Sequence, residues 1–198
     1  MNQTAHLRTP ELSFARVAPR LGFRHIFSEA VGVALILWAS FVAPQLLAQG
    51  YLNPAETAIL DFRNVDNRYI KNAVERIDDL TSRHYGTRLK GNAEHDIRLL
   101  QRLLSDDKIA PDQLLLLQSA GIALGEVLAK EQGVKWVRFQ DQKGTSRALL
   151  IKETEDIIFP ATMISRRYKV GLEIDVQRLY DKAVDFINHT RQIAAESY

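Results

Sequence analysis

The chain has 198 residues, of which 46% are hydrophobic and 25% charged, with 26 Lys and Arg against 24 Asp and Glu. This is ordinary globular composition and excludes a disordered or collagen-like chain. The absence of cysteine excludes disulfides, thiolate metal sites, a cysteine nucleophile and a lipid anchor carried on cysteine.

The first 48 residues hold four arginines (Arg8, Arg16, Arg20, Arg24) and two acids (Glu11, Glu29), leaving 22 basic and 22 acidic residues from Gln49 onward. A balanced body offers no basic surface to displace counterions from phosphates, so no nucleic-acid partner is expected. Residues 30–48, AVGVALILWASFVAPQLLA, carry no charge, and no Lys or Arg follows until Arg63. Arginines before the run and none after it orient residues 1–48 as a signal peptide or membrane anchor, with the remainder in the periplasm. Cleavage near Ala48 gives a periplasmic protein, whereas retention tethers the domain to the inner membrane, since the run approaches the roughly 20 residues of a spanning helix. Pro44 and Gln45 interrupt the run and favour cleavage. A buried core helix fits poorly beside an arginine-rich tail.

Beyond this leader, Asn53-Pro54-Ala55-Glu56 has the cap, first-turn proline and acid of a helix start. Ile59, Phe62, Val65, Tyr69, Ala73, Ile77 and Leu80 continue it as an apolar stripe ending near Tyr85-Gly86. Residues 49–91 thus read as a helical extension preceding an α+β domain at 92–198. Asn92 caps a second helix with Ile97, Leu100, Leu103 and Leu104 on one face. A third, from about Pro111 to Glu131, is apolar on nearly every side, so it is a buried central helix. In it Gly121 and Gly125 lie one turn apart and leave a flat spot for tight packing against the sheet or for a ligand groove. Gly133 ends the helix.

The period then changes. Residues 134–140 and 145–152 are strands joined at the turn Asp141-Gln142-Lys143-Gly144, and Ile157-Ile158-Phe159 is a third strand stopped by Pro160. Trp136 and Arg138 share one strand face, Val137 and Phe139 the other. A short helix over 162–168 and a last helix capped by Asp175 close the chain. Helices first, a small antiparallel sheet of about three strands, then C-terminal helices define an α+β fold with the leader outside it.

LQSAGIALGEVLAKEQGVKWV (117–137), FQDQKG (139–144), IIFPATMISRR (157–167) and GLEIDVQRLYD (171–181) carry a resemblance. Over about residues 99–187 the chain resembles the uncharacterised bacterial family called domain of unknown function 3806. The resemblance implies no activity and transfers no catalytic or binding residue.

No P-loop, dinucleotide fingerprint, zinc-protease motif, calcium loop or serine-nucleophile elbow occurs, so no cofactor is expected. His84, His95 and His189 stand alone among polar neighbours, which predicts surface residues and no metal site. Asp141 and Asp156, with Glu153 and Glu155, are the candidate catalytic acids, because carboxylates converging at one hairpin end can split their pKa values. Arg138, Lys143, Arg166 and Arg167 are the candidate binding residues, as arginine suits recognition of anions and acidic surfaces. Three functions fit: a non-catalytic binding module with an envelope protein partner, a small hydrolase acting on an envelope component, or a helical membrane-associated assembly subunit. The oligomeric state is not legible from these patterns.

Overall fold

The computed structural model describes residues 14–15 and 57–196. The expected leader over 30–48 and the helix start at Asn53 lie outside these residues. Among the described residues no helix is long and apolar enough to cross a membrane.

The fold is α+β. Strands β1 (Phe14–Ala15) and β2 (Ala58–Leu60) precede helices α1 (Asn64–Tyr85), α2 (Ala93–Ser105) and α3 (Leu114–Gln132). Strands β3 (Lys135–Asp141), β4 (Gly144–Leu150) and β5 (Ile157–Ile158) follow, then α4 (Pro160–Lys169) and α5 (Val176–Glu196). The antiparallel sheet runs β1-β5-β4-β3-β2. The three expected strands form its centre, and two short strands extend its edges.

Residues 58–60, expected to be helical, are strand β2. Ile59 pairs with Phe139 across the sheet and joins the apolar cluster of Val137, Phe139, Ala148 and Ile157, so tertiary pairing overrides the helical period. The helix begins at Asn64, and its buried face is Asp66, Ile70, Ala73, Ile77 and Leu80. The expected inward residue Val65 is 46% exposed. An aspartate takes the buried position beside it, its charge met by arginines of the sheet. Because β2 pairs with β3 and α1 packs on α3, residues from Ala58 onward share the packed unit expected to start at residue 92.

The second helix is as expected. The Asn92 side chain accepts from the His95 backbone N–H at 2.9 Å, and Ile97, Leu100, Leu103 and Leu104 are buried. Buried Asp96 accepts from the backbone N–H groups of Lys90 and Gly91 at 2.8 and 2.6 Å, tying down the preceding loop. His95 Nδ1 lies 2.8 Å from the same carboxylate, so this histidine is a half-buried partner and not an isolated surface group.

Helix α3 runs through the centre with ten buried residues, although Leu114 and Leu115 at its start are exposed. It packs most extensively against α4 and α1. Pro160 opens α4 one residue after β5, at a helical position where its missing N–H costs nothing. That proline sits on the flat spot of α3. A Cβ on Gly121 would lie 2.2 Å from the Pro160 carbonyl oxygen, and one on Gly125 would lie 2.7 Å from Pro160 Cβ and 3.0 Å from the Trp136 ring. The two glycines therefore serve close packing, mainly against the start of α4.

The C-terminal helix is capped as expected, Asp175 Oδ1 accepting from Arg178 N–H at 2.9 Å. The Gln101 amide clamps its start, donating to Ile174 O and accepting from Val176 N–H. Tyr180 OH donates to Glu131 at 2.8 Å and anchors the helix to the end of α3.

Gly121→Ala is expected to lower stability by about 1–3 kcal/mol, because the new methyl meets backbone that cannot yield without moving α4. Equilibrium denaturation in urea measures this loss. A neutral effect would mean that the α3–α4 approach is looser than described.

Candidate functional site

The β3–β4 hairpin turns at Gln142 and Lys143, and Gly144 adopts φ 126°, a conformation open to glycine. That turn pairs Asp141 with Gly144 and, three residues back along β3, Arg138 with Arg147. Two arginines directly opposite on one face repel each other and destabilise the hairpin unless an anion compensates.

The first turn of α1 supplies the anion. Asp66, with a side chain 2% exposed, lies over the pair. Its Oδ1 is 2.9 Å from Arg147 Nη2, and its Oδ2 is 3.7 Å from Arg138 Nε and 3.6 Å from Arg63 Nε. Oδ2 also accepts from the Arg63 backbone N–H at 3.1 Å, which closes the helix start. Arg138 Nε donates to the Asp61 carbonyl at 3.0 Å, fixing the link between β2 and α1. The Arg147 guanidinium carbon sits 3.9 Å over the Tyr69 ring, one helical turn from Asp66. Burial by itself would raise the Asp66 pKa. The Arg63 N–H and the Arg147 charge outweigh it and hold the carboxyl below the usual aspartate value.

A recess opens on each flank of this helix. One is a groove of about 460 Å³ beside Phe62, Ile70, Lys71, Glu75, Glu126 and Trp136. Its floor is an aromatic pair, Phe62 and Trp136 stacked at 6.1 Å and 24°. The indole N–H donates to Glu126 at 2.5 Å, which sets the ring's orientation. The other recess, about 210 Å³, lies between Tyr69, Arg147 and the start of α4. A further recess of about 480 Å³ separates α2 from residues 173–177. Its arginines, Arg98 and Arg102, are balanced by Glu173 and Asp175, and its Gln101 amide is already engaged in holding α5.

Of the expected binding residues, Arg138 belongs to the cluster. Lys143 is exposed at the hairpin tip, its backbone N–H bonded to Asp141 Oδ1 at 2.8 Å. Arg166 and Arg167 are on α4. Arg166 is exposed, whereas Arg167 folds back to donate to Met163 O at 2.8 Å, its pKa lowered by burial. The expected convergence of acids does not occur. Asp141 ends β3 at the hairpin tip, while the Asp156 carbonyl accepts from Ile151 N–H beyond the far end of β4. The seven-residue strand between them spans roughly 20 Å. Among the described residues no group of three or more His, Asp or Glu could hold a metal.

Asp66, Tyr69 and Arg147 were not among the expected site residues. The Arg138–Arg147 pairing is implied by the two-residue turn. The approach of α1 has no local signal, because its partner strand lies more than 70 residues away in sequence.

Asp66→Asn is expected to cost about 2–4 kcal/mol at neutral pH, toward the lower end for a broken buried pair because Arg147 remains 29% exposed. The native pKa lies below the unfolded one. The stabilisation is therefore complete above the ordinary aspartate value and is lost as pH falls through the lower native value. Urea denaturation of both proteins over a pH series should show the gap between them narrowing on acidification. A gap independent of pH would remove the ion pair as its source.

No curated protein matches the chain. A crystal structure of a protein from Bacteroides thetaiotaomicron is similar, with a TM-score of 0.61 and 19% identity over 66% of this chain and 48% of that one. The chain thus corresponds to about half of that protein's length, and the likeness is one of fold. Phe62, Asp66 and Tyr69 precede the stretch matched by a family model, whereas Glu126, Trp136, Arg138 and Arg147 lie within it. Residues 96–180 match the family described as "Domain of unknown function (DUF3806)".

Proposed function

We propose that the chain is a non-catalytic interaction module that takes a segment of a partner protein into the groove beside Phe62 and Trp136. The observation that carries this reading is the stacked aromatic pair, held rigid by the Trp136–Glu126 hydrogen bond and open along one side of α1. Pre-oriented aromatics are the usual anchors of protein interfaces, since they bury much area with little loss of freedom. Glu75 and Glu126 outnumber Lys71 along the groove, which favours a segment presenting Lys or Arg beside an apolar side chain. The hydrolase reading loses its support with the separation of Asp141 from Asp156. The charge asymmetry around residues 30–48 supports an envelope location, periplasmic or tethered to the inner membrane, with an envelope protein as partner.

The other tryptophan is Trp38, so in a Trp38→Phe background the emission reports on the groove. Titration with a short peptide alternating Leu and Lys should shift that emission saturably. Phe62→Ala should weaken binding at least about tenfold, as loss of an anchor does. A Leu-Glu peptide should leave the emission unchanged. Absence of a saturable shift with the basic peptide would overturn this placement.

One observation favours a second reading of location. Phe14 and Ala15 pair with Ile158 and Ile157 at the β5 edge. A single bilayer crossing between residues 15 and 57 would separate those partners. On this reading residues 14–15 and the domain occupy one side of the membrane. The natural absence of cysteine makes the test clean: in purified full-length Ala15→Cys/Ile157→Cys, mild oxidation should cross-link the pair if the strand is retained. A native mass beginning at Gln49 would instead sink this reading and support export.

A further inference from the structure

The recess on the Tyr69 flank of α1 has a chemistry of its own. Its walls include Tyr69, Ile122, Ser146, Arg147, Phe159 and Thr162, and no acidic residue lines it. At about 210 Å³ it falls below the roughly 300–1,000 Å³ of pockets for larger ligands, so its occupant has only a few heavy atoms.

Its one cation is Arg147, and that charge is not fully neutralised. Three guanidinium groups approach the single carboxylate of Asp66 within 4 Å, so the cluster as a whole retains positive charge. Within Arg147, Nη2 is engaged by Asp66, while Nε is buried without a hydrogen-bond partner. A buried donor left unpaired in a native fold calls for an explanation, and an anionic ligand is one. The Tyr69 ring against the guanidinium face fixes its plane beforehand, so little freedom is lost when an anion binds.

The opposite wall sets the ligand class. Ile122, Phe159 and Ala161 give it apolar surface beside the polar Gln118 and Thr145, and the Thr162 hydroxyl already donates to Phe159 O at 3.1 Å. Ser146 adds a hydroxyl to the lining. Inorganic phosphate has no carbon body to bury against Ile122, Phe159 and Ala161, and Arg147 is the one cation available to its charge. A carboxylate presents two oxygens in one plane to the arginine and leaves a carbon body for that wall. We propose that this recess binds a small monocarboxylate with a short apolar body, its carboxylate on Arg147. The site is separate from the Phe62–Trp136 groove, and either can fail without the other.

Isothermal titration of the full chain with benzoate, acetate and inorganic phosphate tests the proposal. Benzoate should bind, and acetate, which lacks the ring that meets the apolar wall, should bind at least about tenfold more weakly. Arg147→Gln should weaken benzoate binding at least about tenfold, with Arg147→Lys intermediate because it keeps the charge and loses the planar fork. Thr162→Phe fills the recess and leaves the Arg147–Asp66 pair intact, so it should abolish binding in a folded protein even if Arg147→Gln does not fold. Phosphate binding more tightly than benzoate, no heat with benzoate, or unchanged benzoate binding in Thr162→Phe would each overturn the proposal.

Discussion

The Asp66 carboxylate connects the two halves of this fold. A two-residue turn at Gln142-Lys143 sets the β3–β4 register, and that register places Arg138 and Arg147 side by side on the sheet face that meets the helices. Two facing guanidinium groups are tolerable there only with a nearby anion, and α1 brings one in its first turn. The position also suits an acid for a local reason, since the unpaired N–H groups of a helix start favour negative charge. One carboxylate thus caps α1, offsets part of the hairpin's positive charge and determines how the helix lies across the sheet. Ile70, Ala73 and Ile77 then fall against the interior, and Val65 turns to solvent.

A second constraint acts from the other side of the central helix. Gly121 and Gly125 let Pro160 approach the α3 backbone within a distance that any side chain would prevent. Because one residue separates Pro160 from β5, this contact positions the end of the sheet as well as the start of α4. Phe159, Ala161 and Thr162 are carried to the rim of the recess beside Arg147. The recess is therefore built where the ion cluster and the glycine contact meet, on regular elements and not on long loops. Such walls hold their side chains in place before any ligand arrives.

Both candidate recesses draw one wall from the family-matched stretch and the other from α1. Trp136, Glu126 and Arg147 come from the former, Ile70 and Tyr69 from the latter, with Phe62 just before it. Chemistry placed at such a junction can differ between proteins that share the matched stretch and differ in what precedes it. The site, and not the shared fold, therefore determines what each such protein does.

Local patterns determined most of the architecture. Asn92 and Asp175 as caps, the apolar circumference of α3, and the turn at 141–144 each depend on residues close together in the chain, so they were legible before any tertiary contact. Arg138 was a candidate by residue type alone, since arginine suits anions and acidic surfaces. The rest was decided by contacts between distant segments. Ile59 became a strand residue because Phe139 was there to receive it, overriding a helical period that continues through Phe62. Asp66 could be buried because two arginines more than 70 residues away compensate its charge, and no hydropathy pattern announces that exchange. Asp141 and Asp156, grouped by their nearness to turns, were parted by the full length of β4, a separation that sheet pairing alone imposes.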